Sequence, residues 1–235
     1  PGQALELTNF EPDIEGGYRR INGFEPFVGF VVPQTSASTE AVLMTTVFNN
    51  FVLGARGTSI YRSASSLLKT NITSSETMSG SGVIIVSSTT SFSASGTLII
   101  GAEQFTYTGI STNTFTGVTR ATSSTTAAIH KTNVVVSESW TSIDSGRTSA
   151  KKYNFEKFNF DGNDKLILVD QANAPTVFNT SLGATDVSTS SVAGAKHVVV
   201  FKNHMFYSGM SSTPQEVVFS EPFDEDGFNA GDGAG

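Results

Sequence analysis

The sequence predicts an all-β protein made of β-propeller-like blades, with a small β-barrel-like domain inserted into the first of them. Three observations carry that expectation. Ser and Thr make up about a quarter of the 235 residues, beside 22 Gly and 18 Phe. That mixture is poor in helix formers and rich in β-branched, aromatic and turn residues. Short apolar runs alternate with polar turns along most of the chain. A hairpin unit recurs at a period of roughly 40–50 residues, the length of a propeller blade, with an ordinary β-sandwich of similar hairpins as the alternative.

Taken in order, residues 1–77 hold an N-terminal segment and the first blade-like unit. The first 38 residues are loosely patterned, with Glu15-Gly16-Gly17-Tyr18-Arg19-Arg20 as their compact charge cluster. Arg19 and Arg20 read either as a surface pair capping the turn after Gly16-Gly17 or as a contact to a neighbouring acidic subunit. A strand is then expected over residues 41–48, a turn at Asn49-Asn50, a return strand over 51–56 and a third at 59–62.

Residues 78–138 change composition abruptly: charge almost disappears, yet Ile, Val and Phe still alternate. Strands are expected at 83–86, 97–100, 104–108, 114–119 and 133–136, forming a small closed β unit. Its expected core is Ile84, Val86, Phe92, Leu98, Ile100, Phe105, Tyr107, Phe115, Val118 and Val135.

Residues 139–235 return to the earlier style and supply further blade-like units. Strict alternation runs over 153–160, followed by the turn Asp161-Gly162-Asn163-Asp164 and a strand over 165–170. The same design repeats at 197–201, Lys202-Asn203 and 204–208. Each of the three hairpins has an apolar strand ending in Phe (Phe48, Phe160, Phe201), and these three are expected to be buried at equivalent positions. Third strands are expected at 59–62, 175–179 and 216–221. Three units are fewer than the four a propeller needs to close. The set is therefore expected to be incomplete, the chain being part of a longer protein or the other blades being supplied otherwise.

The chemistry census is empty. No cysteine is present, which excludes disulfides and thiolate chemistry and is compatible with synthesis in a reducing compartment. None of the three histidines (His130, His197, His204) has metal-ligand spacing with another. There is no Gly-x-Ser-x-Gly elbow and no dinucleotide-binding glycine motif. The acidic cluster Glu221, Asp224, Glu225 and Asp226 lacks the calcium-loop glycine offset and reads as a solvated loop. Arg120 follows a strand and faces the loop after it, where a guanidinium most simply satisfies loop carbonyls. No catalytic, cofactor-binding or metal residue is assigned; Arg120 and His130 remain structural candidates. The segment Pro1-Gly2-Gln3-Ala4-Leu5-Glu6 has no signal-peptide character, and no apolar run is long enough for a membrane span. The net charge of −7 argues against general attraction to nucleic-acid phosphates.

Three stretches carry a resemblance. Residues 11–24, with Glu15-Gly16-Gly17-Tyr18-Arg19-Arg20 at their centre, resemble the opening of tail nozzle (stabilisation) proteins of short-tailed bacteriophages. Val199-Val200-Phe201-Lys202-Asn203-His204-Met205-Phe206-Tyr207-Ser208-Gly209, followed by Val217-Val218-Phe219-Ser220-Glu221-Pro222, resembles a propeller hairpin of the same family, which often has Arg where His204 stands. Residues 95–108 and 113–120, with Thr125-Thr126-Ala127-Ala128-Ile129-His130, are similar to a small β module scattered through phage virion proteins. That module usually has Gly after the Arg, where this chain has Ala121.

The resemblance implies a structural virion protein and not an enzyme: a homohexameric ring below the portal and adaptor, acting as a conduit for genome retention and ejection. Its implied partners are copies of itself, adaptor and tail fibre or tip proteins, and genome DNA passing without sequence-specific contact. Its implied place is the virion tail, after assembly in the host cytoplasm. An acidic β protein with so little reactive chemistry suits passing DNA, because like charge prevents the phosphate contacts that would trap it. The alternative is a phage or bacterial adhesin that binds a surface glycan through a propeller or the inserted module.

Overall fold

The computed structural model describes residues 10–12, 18–20, 33, 40–148 and 152–235. It is all-β, built of several antiparallel sheets, and among the described residues no helix reaches seven residues. Strands β1 (Phe10–Pro12) and β2 (Tyr18–Arg20) form a two-stranded ribbon with Glu11 opposite Arg19.

Strands β3 (Val42–Phe48), β4 (Phe51–Arg56) and β5 (Ser59–Leu67) form an antiparallel meander. The turn joining the first two is two residues long. Asn49 and Asn50 both have positive φ, 45° and 67°, as a type I′ turn requires, and Asn tolerates that region better than most residues.

Next come β6 (Ser79–Ile85), β7 (Gly96–Ile100), β8 (Glu103–Tyr107), β9 (Gly109–Ser111), β10 (Thr114–Arg120), β11 (Val135–Glu138) and β12 (Thr141–Asp144). All belong to one ten-stranded sheet with the path β3-β4-β5-β11-β7-β8-β10-β6, in which β12 also pairs with β5 and β9 with β10. The long strand β5 serves two sets of partners. Its first half pairs with β12 and completes a four-stranded meander; its second half pairs with β11 and opens the segment between.

That segment is not the closed unit the sequence led us to expect, because no ladder closes it. The continuation of β5 and that of β6 meet instead at an isolated bridge, Leu68 to Val86, flanked by Lys69 N–H to Ile85 O at 2.8 Å and Ser87 N–H to Leu67 O at 2.9 Å. The segment's core holds Ile84, Val86, Leu98, Ile100, Phe105, Tyr107, Phe115 and Val118, with Phe92 partly buried. It also takes in Leu68, Ile72 and Met78. Val135 is a correction: it is 46% exposed, and Val136 is the buried residue. Strand alternation puts neighbouring valines on opposite faces, and the pairing of β11 with β5 and β7 turns Val136 inward.

The second meander is β13 (Asn154–Phe158), β14 (Lys165–Val169), β15 (Thr176–Phe178) and β16 (Ala184–Asp186). The third is β17 (His197–Phe201), β18 (His204–Ser208) and β19 (Val217–Phe219). The three meanders stack face to face. From β14, Leu166 and Leu168 enter one core with Met44, Phe48, Leu53, Ala55 and Ile60 of the first meander. Ile167 and Val169 enter another with Met205 and Tyr207 of the third. A strand covered on both faces must be continuously apolar, which is why 166–169 reads Leu-Ile-Leu-Val.

Register corrects the expectation for the three phenylalanines. The hairpin ends pair Phe48 with Phe51, Phe158 with Lys165 and Phe201 with His204. The residue equivalent to Phe48 is therefore Phe158, which is buried, whereas Phe160 lies in the loop, half-buried with its ring 4.9 Å from that of Phe158. Phe201 occupies the equivalent position but is 58% exposed. The reason is positional. Phe48 points at the second meander and Phe158 at the third, while Phe201 points away from both.

Candidate functional site

Among the described residues, a cluster of buried charge lies at one end of the inserted segment. Glu103 opens β8 immediately after the turn at Gly101-Ala102, and Arg120 closes the neighbouring strand β10, so the antiparallel pairing brings the two side chains together. Arg120 donates through Nε to Glu103 Oε1 at 2.8 Å and through Nη2 to Oε2 at 2.9 Å. Its remaining donors reach the carbonyls of Thr73 (2.6 Å), Glu76 (3.1 Å) and Ala128 (2.8 Å). All N–H groups of the guanidinium are thereby used, and the planar fork meets the carboxylate in two parallel bonds.

Glu103 receives three further bonds, from the N–H of Ala121 (3.2 Å), the N–H of Ala128 (2.9 Å) and Nε2 of His130 (2.8 Å). Burial alone would push its carboxyl up. The Arg120 guanidinium, the Ala128 N–H and His130 outweigh that and hold it below the ordinary carboxylate range. His130 also exchanges both backbone hydrogen bonds with Ile72, at 2.8 and 2.9 Å, and its ring meets Phe105 edge-on. The cluster pins the loops around 73–76 and 121–130 onto the sheet. It has no spare donor, no nucleophile and no open position, so its chemistry is that of a clamp.

Arg120 and His130 were singled out from sequence; Glu103, their common partner, was not. The usable signal was scarcity, since opposite charges in a segment with so few charges have little else to pair with. Arg147 was missed as well. It is buried between the first two meanders and donates to Asp144 Oδ2 (3.0 Å), Tyr153 Oη (3.1 Å) and Thr176 Oγ1 (2.6 Å). Burial pushes the Tyr153 hydroxyl up, against the pull of Arg147. Arg19 and Arg20 lie in β2 of the N-terminal ribbon, opposite Glu11 and Phe10 in register; their side chains lie outside what is described.

The residues of the acidic loop hold their own surroundings. Glu225 takes Lys165, Asp226 takes the N–H and hydroxyl of Ser188, and Glu221 takes the N–H of Asn229. His204 approaches the Ser220 carbonyl with Nδ1 at 2.6 Å, where a guanidinium could make the same donation.

The remaining feature is apolar. The outer face of the third meander carries Val199, Phe201, Phe206, Val217 and Phe219, with the rings of Phe206 and Phe219 stacked at 5.3 Å. An open cleft of about 350 Å³ runs over it. Val199, Phe201 and Val217 are each more than half exposed. No family model and no curated protein matches the chain.

Proposed function

We propose that the protein is a structural component of a virion tail, of the tail nozzle kind, whose copies assemble into a ring that serves as a conduit for the phage genome. The observation that carries this reading is the stack of meanders with one apolar face left bare. It supports reading the meanders as blades of an assembly larger than one described chain. The buried charges described above add support, because Glu103, Arg120, His130 and Arg147 are all spent on clamping loops and sheets together. Such a protein offers a wall, and a net charge of −7 keeps phosphate backbones from sticking to it. The hairpin that resembles nozzle proteins is the same one that presents the bare face. Trp140, the one tryptophan, lies against Gly54 of the first meander, an arrangement that does not favour the glycan-binding alternative.

Mass photometry and negative-stain images of the purified chain test the reading. Ring particles with a central channel, six-fold by the resemblance, are expected. Monomers throughout the micromolar range, or specific capture on a glycan array, would overturn it.

A further inference from the structure

Two sheet faces of the chain are apolar and bare. The first is the outer face of the third meander, where β17, β18 and β19 present Val199, Phe201, Phe206, Val217 and Phe219. The second lies on the outside of the inserted segment and likewise crosses three neighbouring strands. Leu67 of β5 stands opposite Val135 of β11. On its other side the bridge between Leu68 and Val86 sets Lys69 opposite Ile85, so Ile85 and Val83 of β6 share the face of Leu67. Leu67, Val83 and Val135 are 41%, 51% and 46% exposed, whereas the next residue after each, Leu68, Ile84 and Val136, is buried on the inner face.

The charges around the two faces are of opposite sign. Glu216 adjoins Val217 at one end of the third meander's face. Asp224 lies beside the other end, its loop tied to the hairpin turn by Phe223 N–H to Asn203 O at 2.8 Å. Residues 197–235 hold six acidic side chains, with Lys202 as their one lysine or arginine. On the inserted segment, Lys69 is exposed on the bare face itself. Residues 66–136 hold Lys69, Arg120 and Lys131 against Glu76 and Glu103, and Arg120 and Glu103 are spent on each other inside. We infer that the outer face of the third meander docks on the outer face of the inserted segment of a second copy of this chain. Both faces are bare within one molecule, so the complement to each is found on another. Aromatic rings meet branched aliphatic chains at the centre, while acidic and basic residues meet at the rim and fix the orientation. A contact between two different faces is heterologous, so it closes into a ring when its rotation divides a full turn. This inference rests on the proposed homo-oligomer and names the surfaces that build it.

Sedimentation velocity of the full chain over a concentration series tests it, using Phe201→Glu on one face and Leu67→Glu on the other. Val217→Lys and Val83→Glu take their places if either melts differently from the wild type. Each variant is expected to weaken self-association at least about tenfold while leaving the circular dichroism unchanged. Lys69→Glu is expected to weaken it too and to flatten its dependence on salt, because the rim attraction is screened. An equimolar mixture of Phe201→Glu and Leu67→Glu should regain a dimer, because a head-to-tail contact needs one intact face from each molecule. If the variants of the inserted segment, Lys69→Glu included, assemble as the wild type does, or the mixture fails to pair, the docking surface is overturned while the ring reading stands. A wild type that stays monomeric overturns both.

Discussion

Glu103 sits at the centre of the most strongly coupled polar group described, and its ionisation has a sign that can be worked out. Its carboxyl titrates below the ordinary range in the folded state because the Arg120 fork, the Ala128 N–H and His130 outweigh the effect of burial. A carboxylate with a depressed folded value stabilises the fold fully above its unfolded value, and loses that contribution as pH falls through the folded one. Denaturant unfolding followed across pH should therefore show stability falling below about pH 5, with a shallower fall in Glu103→Gln. Replacing Arg120 by Ala strands a buried carboxylate and should cost about 3–5 kcal/mol. Arg120→Lys should recover little of it, since an ammonium cannot reproduce the bidentate fork or reach the three carbonyls together.

For the strands, position was legible and facing was not. Alternation and turn residues located most strands of the three meanders within a residue or two, because pleat and turn chemistry are local, but β5 runs to Leu67, five residues past its expected end at 62, where it takes β11 as a partner. Among the described residues, five short strands escaped: β1, β2, β9, β12 and β16, of sequence Phe-Glu-Pro, Tyr-Arg-Arg, Gly-Ile-Ser, Thr-Ser-Ile-Asp and Ala-Thr-Asp. They are too short to alternate and take strand form from the partner that pairs with them. The two-residue turns at Asn49-Asn50 and Lys202-Asn203 share the same positive φ values, so those hairpins align by residue, whereas the six-residue loop at 159–164 shifts the second. Phe158→Ala should therefore cost about 3–5 kcal/mol in a chemical denaturation experiment. Phe201→Ala should stay within about 0.5 kcal/mol in the monomer, since its ring is mostly in solvent.

Across the whole molecule, β5 decides how the inserted segment is attached. Ser65 of β5 lies opposite Ser137 of β11, and Ser63 Oγ donates to Glu138 O at 2.6 Å, so the segment leaves and returns at neighbouring positions. Replacing residues 66–136 with an Asn-Gly turn converts β5 and the return strand into an ordinary hairpin. The core between the first two meanders contains no residue from the excised range, nor does the core between the second and third. The shortened chain is expected to stay soluble and to melt cooperatively, with circular dichroism of strand type. Insolubility or a non-cooperative melt would show that the first meander depends on the segment, for instance through the Arg62 contacts to Ser91 O and Ser93 Oγ.

From sequence alone it followed that this is a β protein, where its strands and hairpin turns run, that one charge-poor segment interrupts a repeat, and that no nucleophile or metal-ligand spacing stands out. Those features are written in residue type and near-neighbour order, which is where pleat alternation, turn chemistry and side-chain reactivity reside. Only the tertiary structure decided which face of each strand is covered. Phe158 and Phe201 occupy the same place in their hairpins, and one is buried and the other exposed because a meander packs on the first and none of the described meanders packs on the second. It also joined Glu103, Arg120 and His130 into one clamp, since strand pairing sets which distant charges meet. Alternation defines two faces, but what lies against each depends on a sheet many residues away.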